Sequence, residues 1–151
     1  MKNIKNTTTD YSSIFSSIED IIKDLNKGKM VVIVDDEKRE NEGDLVFNAE
    51  RVDSSKINFM AKYARGLICL ALEQEKANKL ELKLMSNENS SRQKTAFTVS
   101  IEAKHGVTTG ISAKDRSKTI EVAVNKDSSS KDLVSPGHIF PVVSKEGGVL
   151  V

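Results

Sequence analysis

This chain has little of what marks secreted, membrane and nucleic-acid-binding proteins. It contains one cysteine, Cys69, so no internal disulfide can form and a reducing compartment is expected. Its longest apolar runs, residues 67–72 and 30–34, are far shorter than a membrane span, and residues 1–10 do not resemble a secretory signal. Lys and Arg total 23 and Asp and Glu total 22, which argues against a strongly basic surface for nucleic acid or anionic lipid. The sequence therefore predicts a cytoplasmic protein with no nucleic-acid or membrane partner.

Aromatic residues and the common cofactor motifs are also scarce. There is no Trp, and Phe and Tyr together make up only 5% of the chain, so a core of Ile, Leu, Val and Ala is expected. No group of Cys and His residues has zinc-site spacing, and neither Gly-x-Gly-x-x-Gly nor a P-loop occurs. These absences argue against a zinc finger and against the usual dinucleotide and P-loop nucleotide sites.

The apolar periodicity alternates between helix and strand over a length that suits one ordinary domain. Residues 1–11 are polar and Thr-rich, which predicts a flexible N-terminal tail before a single domain at 12–151. Ser12 or Ser13 is the predicted N-cap of a first helix that Gly28 ends. The next strand, 29–35, is apolar on both faces, so we expect it inside a layered sheet. Further predicted elements are strands at 45–50, 67–72, 96–103 and 139–143, helices at 56–63, 73–80 and after Ser112, a loop at 81–96 and a turn at 136–137. The helix at 56–63 is expected to have Ser54 or Ser55 as its N-cap and to end at Gly66.

Six carboxylates are crowded into residues 35–44, between two apolar runs. Such a density of anions costs repulsion energy, which a bound cation would relieve. Arg39 adds a planar fork for carboxylate or phosphate, and Gly43 lets the backbone turn sharply or approach a ligand. The pattern indicates a site for a hard metal ion and a polar substrate, although a solvated acidic loop between two strands fits it about equally well.

Two further segments carry residues capable of chemistry. Residues 106–112 place two Thr hydroxyls between glycines ahead of a helix, which suits phosphate binding. A turn followed by an N-cap is the more common interpretation of such a pattern. His138 follows a Pro-Gly pair at the predicted mouth of a strand, where it could act as a general acid or base, although a lone His is more often structural. His105 is predicted to be a surface residue, and Cys69 a buried, inert thiol.

Three segments together resemble the signatures of 3,4-dihydroxy-2-butanone 4-phosphate synthase, in the order and spacing of that family. They are residues 34–37 with 39–44, residues 97–101 with 106–116, and residues 136–141 with 147–150. The resemblance extends from about residue 14 to the last residue. With three motifs in order, the interpretation of residues 35–44 as a plain solvated loop loses most of its weight.

The resemblance implies a lyase of riboflavin biosynthesis that converts D-ribulose 5-phosphate to L-3,4-dihydroxybutan-2-one 4-phosphate and formate. It implies Mg²⁺ or Mn²⁺ as cofactor, which fits a reaction through an enediolate, and several acid–base groups for its proton transfers. The implied fold is α+β, a layered α/β sandwich with a mixed sheet covered by helices. The implied assembly is a homodimer that has its sites near the subunit interface.

The resemblance also assigns roles to particular residues. The implied catalytic residues are His138, Glu40 and Asp35; the implied substrate-binding residues are Arg39, Glu40, Asp44, Glu42, Thr109 and Cys69; and the implied metal ligand is Glu40. Thr109 and Cys69 are the weaker candidates, for the wall of the pocket.

One part of the family pattern has no counterpart in this sequence. In the family, Gly-Gly-Val-Leu precedes an Arg-x-Gly-His-Thr segment with the phosphate-binding Arg and a metal-ligand His, and a later Glu acts in acid–base chemistry. The sequence ends at Val151, so the expectation is a C-terminally truncated chain that is weak or inactive alone, because losing a ligand weakens metal binding. The alternatives are a non-catalytic remnant, a dimer-partner fragment, and an acidic-loop metal-binding protein without catalysis.

Overall fold

The computed structural model describes residues 14–35 and 40–147, and the chain divides into two compact units, Met1–Asn48 and Ala49–Val151. The predicted tail at residues 1–11 lies outside the described residues, and the extent of one domain over 12–151 stays a prediction. The first unit contains α1 (Ile18–Asn26), β1 (Val31–Val34) and β2 (Gly43–Val46). The second contains α2 (Ser54–Phe59), β3 (Cys69–Leu72), α3 (Gln74–Lys79), β4 (Ile101–Ala103), α4 (Ala113–Val124) and β5 (Leu133–Val143), with 3₁₀ turns at Ala49–Arg51 and Ser130–Asp132 and a π-helical turn at Met60–Ala64.

Helix α1 begins later than its sequence pattern predicts. Its N-cap is Ser17, whose side-chain oxygen accepts a hydrogen bond from the backbone N–H of Asp20, so the prediction of Ser12 or Ser13 as the cap is wrong. Glu19 and Asp20 in the first turn favour this start because they complement the helix dipole. The predicted end is confirmed: Gly28 has a φ of 74° and its N–H donates to the carbonyl oxygen of Leu25.

Strands β1 and β2 form a two-stranded antiparallel hairpin, with Val31 opposite Val46 and Val34 opposite Gly43. We expected β1 to be covered on both faces, but Val32 is 62% exposed and the next two side chains are also exposed. That expectation is wrong, because a two-stranded ribbon cannot by itself cover both of its faces.

The second unit is built on a mixed three-stranded sheet in the order β3-β5-β4. Strand β3 runs parallel to β5, and β4 runs antiparallel to it. Helix α4 packs against β4 and β5, and α2 packs against α4. Apart from Pro141, the buried apolar side chains in the described part of the chain are all Ile, Leu or Ala, including Ile57, Ile101 and Ile139. These features confirm the predicted α+β class with a mixed sheet and packed helices.

Two other boundaries differ from the predictions. Helix α2 is capped by Asp53, whose carboxylate accepts the N–H of Lys56, and the helix continues as the π-helical turn. Arg65, with a φ of 61°, takes the left-handed position at its end, where the sequence suggested Gly66.

Within the described residues, no helix combines the length and apolar character needed to cross a bilayer.

Candidate functional site

The acidic segment is organised by the carboxylate of Asp35, directly after β1. Its Oδ2 accepts the backbone N–H of Glu40 at 3.0 Å, and its Oδ1 accepts the backbone N–H of Glu42 at 2.9 Å. The N–H of Asp35 in turn donates to the carbonyl oxygen of Glu42. The two carboxylate oxygens of Asp35 therefore fix the backbone N–H groups of two other candidate residues, Glu40 and Glu42.

The remaining acidic candidates lie on the surface of the same unit. Glu40, Glu42 and Asp44 are exposed, and Asp44 lies in β2 opposite Ile33. Arg39 lies outside the described residues. Carboxylate oxygens are the donors that Mg²⁺ and Mn²⁺ prefer, and Mg²⁺ commonly uses only one or two carboxylates and keeps several waters. Within the described residues no group of three or more potential metal ligands is assembled, and the role of Glu40 as a metal ligand stays a prediction.

The third motif lies in a wide bulge of β5 and not in a turn. Ile139 pairs with Ile101 and Val134 pairs with Glu102, so residues 135–138 have no partners on β4. The prediction of a turn at 136–137 is therefore wrong. A proline cannot donate to a central sheet ladder, and the bulge removes this residue from the ladder while the strand continues past it.

Close packing at Gly137 holds the bulge against β4. A Cβ atom at this position would overlap the backbone carbonyl of Ile101, so only glycine fits. The N–H of Gly137 donates to Oγ of Ser100 at 3.1 Å, and Oγ of Ser135 donates to the carbonyl oxygen of Ser100 at 2.7 Å. The peptide bond between Ser135 and Pro136 is cis. These contacts define the position of the next residue, His138.

His138 is paired with a carboxylate that sequence reasoning missed. Its Nδ1 lies 2.8 Å from Oε2 of Glu102 on β4, and the side chains of the two residues are 40% and 16% exposed, respectively. Because an ionised carboxylate can only accept, Nδ1 must donate, and this favours the tautomer whose Nε2 is unprotonated. The pairing gives His138 the form of a general base. The polar positions of the 96–103 pattern contained Glu102, but only the pairing of β4 with β5 reveals which of them meets His138.

The loop at 106–112 turns its polar groups inward onto Asp115. Oδ2 of this residue accepts the hydroxyl of Thr108 at 2.8 Å and the N–H of Gly110 at 3.0 Å. Asp115 is only 3% exposed, and the Thr108 hydroxyl, with the backbone N–H groups, lowers its pKa despite the opposing effect of burial. Ser112 accepts the N–H of Asp115, so it N-caps α4 as predicted. The structure therefore favours the turn-and-cap alternative for this loop, and leaves Thr109 exposed on it.

The second and third motifs meet at Glu102. Gly110 has a φ of 81°, and a Cβ atom there would overlap the carboxylate of Glu102. The loop backbone thus lies against one side of this carboxylate, while His138 contacts it from another. Asp115, Gly110, Glu102 and His138 form one connected set within the second unit.

Cys69 is exposed, so its prediction as a buried thiol is wrong. It lies opposite Phe140 in the parallel pair of β3 and β5, while their neighbours Leu70 and Pro141 are buried. Alternation therefore puts Cys69 and Phe140 on the open face of the sheet. Glu102, which lies between the buried Ile101 and Ala103 on β4, points to the open face as well, and its contact with His138 places the imidazole there.

The structure thus distributes the candidates between its two units. Asp35, Glu40, Glu42 and Asp44 belong to the first unit. The second unit brings His138 and Cys69 to one face of its sheet, and carries Thr109 on the loop that touches Glu102.

Comparison with known proteins points to one family. The family model described as 3,4-dihydroxy-2-butanone 4-phosphate synthase matches residues 19–151. A protein of that name from Pseudomonas syringae pv. tomato is 57% identical over 136 residues, which are 90% of this chain and 37% of the relative. A relative of the same name from Photobacterium phosphoreum is 51% identical, over 89% of this chain and 37% of its own length. This chain therefore spans little more than a third of the length of these relatives.

A solved structure has the same fold and the same family name. A 3,4-dihydroxy-2-butanone 4-phosphate synthase in complex with two magnesium ions superposes with a TM-score of 0.87 at 40% identity, covering 89% of this chain and 63% of that one. The magnesium ions belong to that protein.

Proposed function

This chain belongs to the 3,4-dihydroxy-2-butanone 4-phosphate synthase family, and on that premise we propose that it carries a large part of a lyase active site. The reaction is the conversion of D-ribulose 5-phosphate to L-3,4-dihydroxybutan-2-one 4-phosphate and formate, in riboflavin biosynthesis. The observation that carries this proposal is His138, held by Glu102 at 2.8 Å on the open face of the sheet.

The first chemical demand of this reaction is a base beside the substrate carbonyl. Enolisation removes a proton from the carbon next to the carbonyl group, and a neutral imidazole is well suited to that step near neutral pH. His138 would accept this proton at Nε2, because Nδ1 is engaged with Glu102. The same group can return a proton when the rearranged carbon skeleton is cleaved.

The acidic loop would bind the metal ion and contact the substrate. Glu40 would hold Mg²⁺ or Mn²⁺, which supplies Lewis-acid stabilisation of negative charge on the substrate oxygen when bound. Asp35 fixes the backbone of Glu40 and Glu42 through two hydrogen bonds, so its proposed role is to shape the site. Arg39 and Asp44 are proposed as substrate contacts.

The other partners follow from the same proposal. The substrate is a small sugar phosphate, with Thr109 and Cys69 as proposed wall residues, and the assembly is a homodimer. An exposed thiol suits a reducing compartment, so we place the protein in the cytoplasm.

The test is formate release from ribulose 5-phosphate with Mg²⁺. Because the chain spans 37% of its relatives' length, it is assayed alone and as a chimera joined at Val151 to the following segment of the Pseudomonas syringae relative. We expect the chimera to release formate and the chain alone to be weak or inactive. His138→Gln should slow the chimera by about 10²–10⁴-fold, the usual contribution of general acid–base catalysis. His105→Gln is the matched control.

The proposal that Glu40 binds the metal ion can be tested without measuring activity. Mn²⁺ binding to the chain, followed by electron paramagnetic resonance, should weaken in Glu40→Gln and stay unchanged in Glu88→Gln, an exposed residue of the 81–96 loop. Equal Mn²⁺ binding by both variants would show that Glu40 is not a metal ligand.

The alternative is a non-catalytic remnant or dimer-partner fragment. The exposed apolar side chains of α1 and β1 favour a chain that retains an association surface. A folded, self-associating chain whose chimera releases no formate would support this alternative and reject the lyase proposal.

A further inference from the structure

We propose that Glu102 is the positioning residue of His138, and that it selects the imidazole tautomer needed for proton abstraction. For catalysis this inference rests on the proposed lyase function, but the tautomer itself can be measured without substrate. The proposal gives a role in the reaction to a carboxylate in β4 that would otherwise be only a partner in packing.

The contact between the two side chains has the geometry of an orienting hydrogen bond. Nδ1 of His138 and Oε2 of Glu102 are 2.8 Å apart, a typical distance for a charge-assisted hydrogen bond. Glu102 is the more buried partner, at 16% exposure against 40%, so its carboxylate is the fixed member and the ring is the one oriented. The ring then keeps its Nε2 side as the acceptor for a substrate proton.

The surrounding backbone restrains Glu102 from two directions. On one side the bulge packs so closely that a Cβ at Gly137 would overlap the backbone at Ile101 and Glu102. On the other side, Gly110 lies so close to the carboxylate of Glu102 that a Cβ atom at Gly110 would overlap it. Asp115 holds the Gly110 loop in place through the N–H of Gly110. A side chain confined in this way has few alternative rotamers, which is what positioning a catalytic base requires.

The direct test uses the fact that the chain has two histidines, His105 and His138. Long-range ¹H–¹⁵N correlation spectra at about pH 9, where free imidazole is neutral, report the tautomer of each ring. In the wild-type chain His138 should show the form protonated at Nδ1, and exposed His105 should show the ordinary mixture. In Glu102→Leu the His138 pattern should change to that mixture. The pattern should not change in Glu121→Leu, an exposed site on α4.

A second variant keeps the test decisive if Glu102→Leu does not fold. In Glu102→Gln the side-chain amide can turn either its oxygen or its nitrogen toward Nδ1, so both tautomers of His138 are expected. A His138 ring that keeps one tautomer in Glu102→Gln, or that shows the mixture in the wild type, overturns the proposal.

Two glycines provide a further matched pair. Gly110 and Gly106 both have a φ of 81°, so alanine strains the backbone equally at each. At Gly106 the new Cβ would meet only the side chain of Lys118, at 3.5 Å, whereas at Gly110 it would displace Glu102. Gly110→Ala should therefore disturb the His138 tautomer and Gly106→Ala should not. The same response to both substitutions would contradict the proposal.

The catalytic consequence is measured in the formate-releasing chimera. Glu102→Leu should lower kcat by about 10–100-fold with little change in KM, the scale seen when an orienting partner is lost. If His138→Gln abolishes turnover but Glu102→Leu leaves kcat unchanged, the positioning role fails while the lyase function stands. If the tautomer behaves as expected but no chimera turns over, the proposed function fails and the orienting contact stands.

Discussion

At the scale of single residues, the structure uses carboxylates to orient groups that carry no charge of their own. Asp35 binds two backbone N–H groups, and Asp115 binds a hydroxyl and a backbone N–H. Asp35 thereby restrains the backbone of Glu40 and Glu42, and Asp115 restrains the loop that carries Thr109. A substitution of Asp35 or Asp115 that keeps the size of the side chain but removes its charge should therefore make the loop more mobile and lower the free energy of unfolding.

Asp115→Asn should remove a pH-dependent part of the stability. Hydrogen bonds lower the pKa of Asp115 below its ordinary value of 3.8, so the folded chain binds this proton less readily than the unfolded chain. The stabilisation is present above about pH 4 and is lost as the pH falls through the lowered pKa.

The measurement is urea unfolding of the wild type and of Asp115→Asn from pH 2.5 to 7. The difference in unfolding free energy between them should grow as the pH rises to about 4 and then level off. Asp127→Asn, at an exposed turn, is the control. A difference that is constant across the whole range would show that the Asp115 charge contributes nothing.

At the scale of secondary-structure elements, the candidate site lies where the β4–β5 pairing at Ile101 and Ile139 meets the bulge of β5. A regular antiparallel pairing of β4 and β5 would put consecutive β5 residues on alternating faces with fixed partners. The pairing of Ile101 with Ile139 puts His138 beside Glu102, and the four extra residues at 135–138 then leave His138 outside the ladder, so that Glu102 pairs with Val134. The stability of the bulge depends on the close packing of Gly137 against the backbone of β4.

Gly137→Ala should destabilise the second unit, because its new Cβ would overlap the backbone of β4. The expected loss is about 1–3 kcal/mol in the free energy of unfolding, the range for overpacked sites. Gly66→Ala is the matched control, since no atom lies within 4 Å of a Cβ built there. Denaturant unfolding followed by circular dichroism compares the two variants, and equal losses would refute the packing argument.

At the scale of the whole molecule, the shorter first unit has as many large exposed apolar side chains among its described residues as the longer second unit. They include Ile18 and Ile22 on α1 and Val32 on β1, all more than half exposed. Apolar patches of this kind commonly mark association surfaces. This observation supports the homodimer proposed above and leads to a test in solution.

Ile18→Lys should weaken self-association of the chain. Burial of an Ile side chain contributes about 1.5–3 kcal/mol, so its loss should raise the dimer Kd by at least about tenfold. Asn26→Lys adds the same charge at an exposed position of the same helix and is the control. Sedimentation velocity over a concentration series measures both, and identical Kd values would exclude this face from the interface.

Short-range patterns in the sequence were enough to predict several elements. The N-cap at Ser112, the helix end at Gly28 and the strand at β3 depend on neighbours a few residues away, and the structure confirms all three. The start of α1 was predicted wrongly because several serines compete for one cap within a few residues, and their sequence spacing does not rank them. The exposure of Cys69 was also missed, since an apolar run does not reveal which face of a sheet stays open.

The sequence by itself determined the family, the α+β class and the identity of the chemical groups, because motifs and periodicity are properties of the chain order. Only the tertiary structure decided which groups meet. Glu102 and His138 are distant in sequence, and they come within 2.8 Å because their neighbours Ile101 and Ile139 pair across β4 and β5 and because Gly110 leaves room for the carboxylate. Contacts of that kind depend on strand register and on space between backbones. Both are set when the strands pair and pack, and neither can be read from residue types alone.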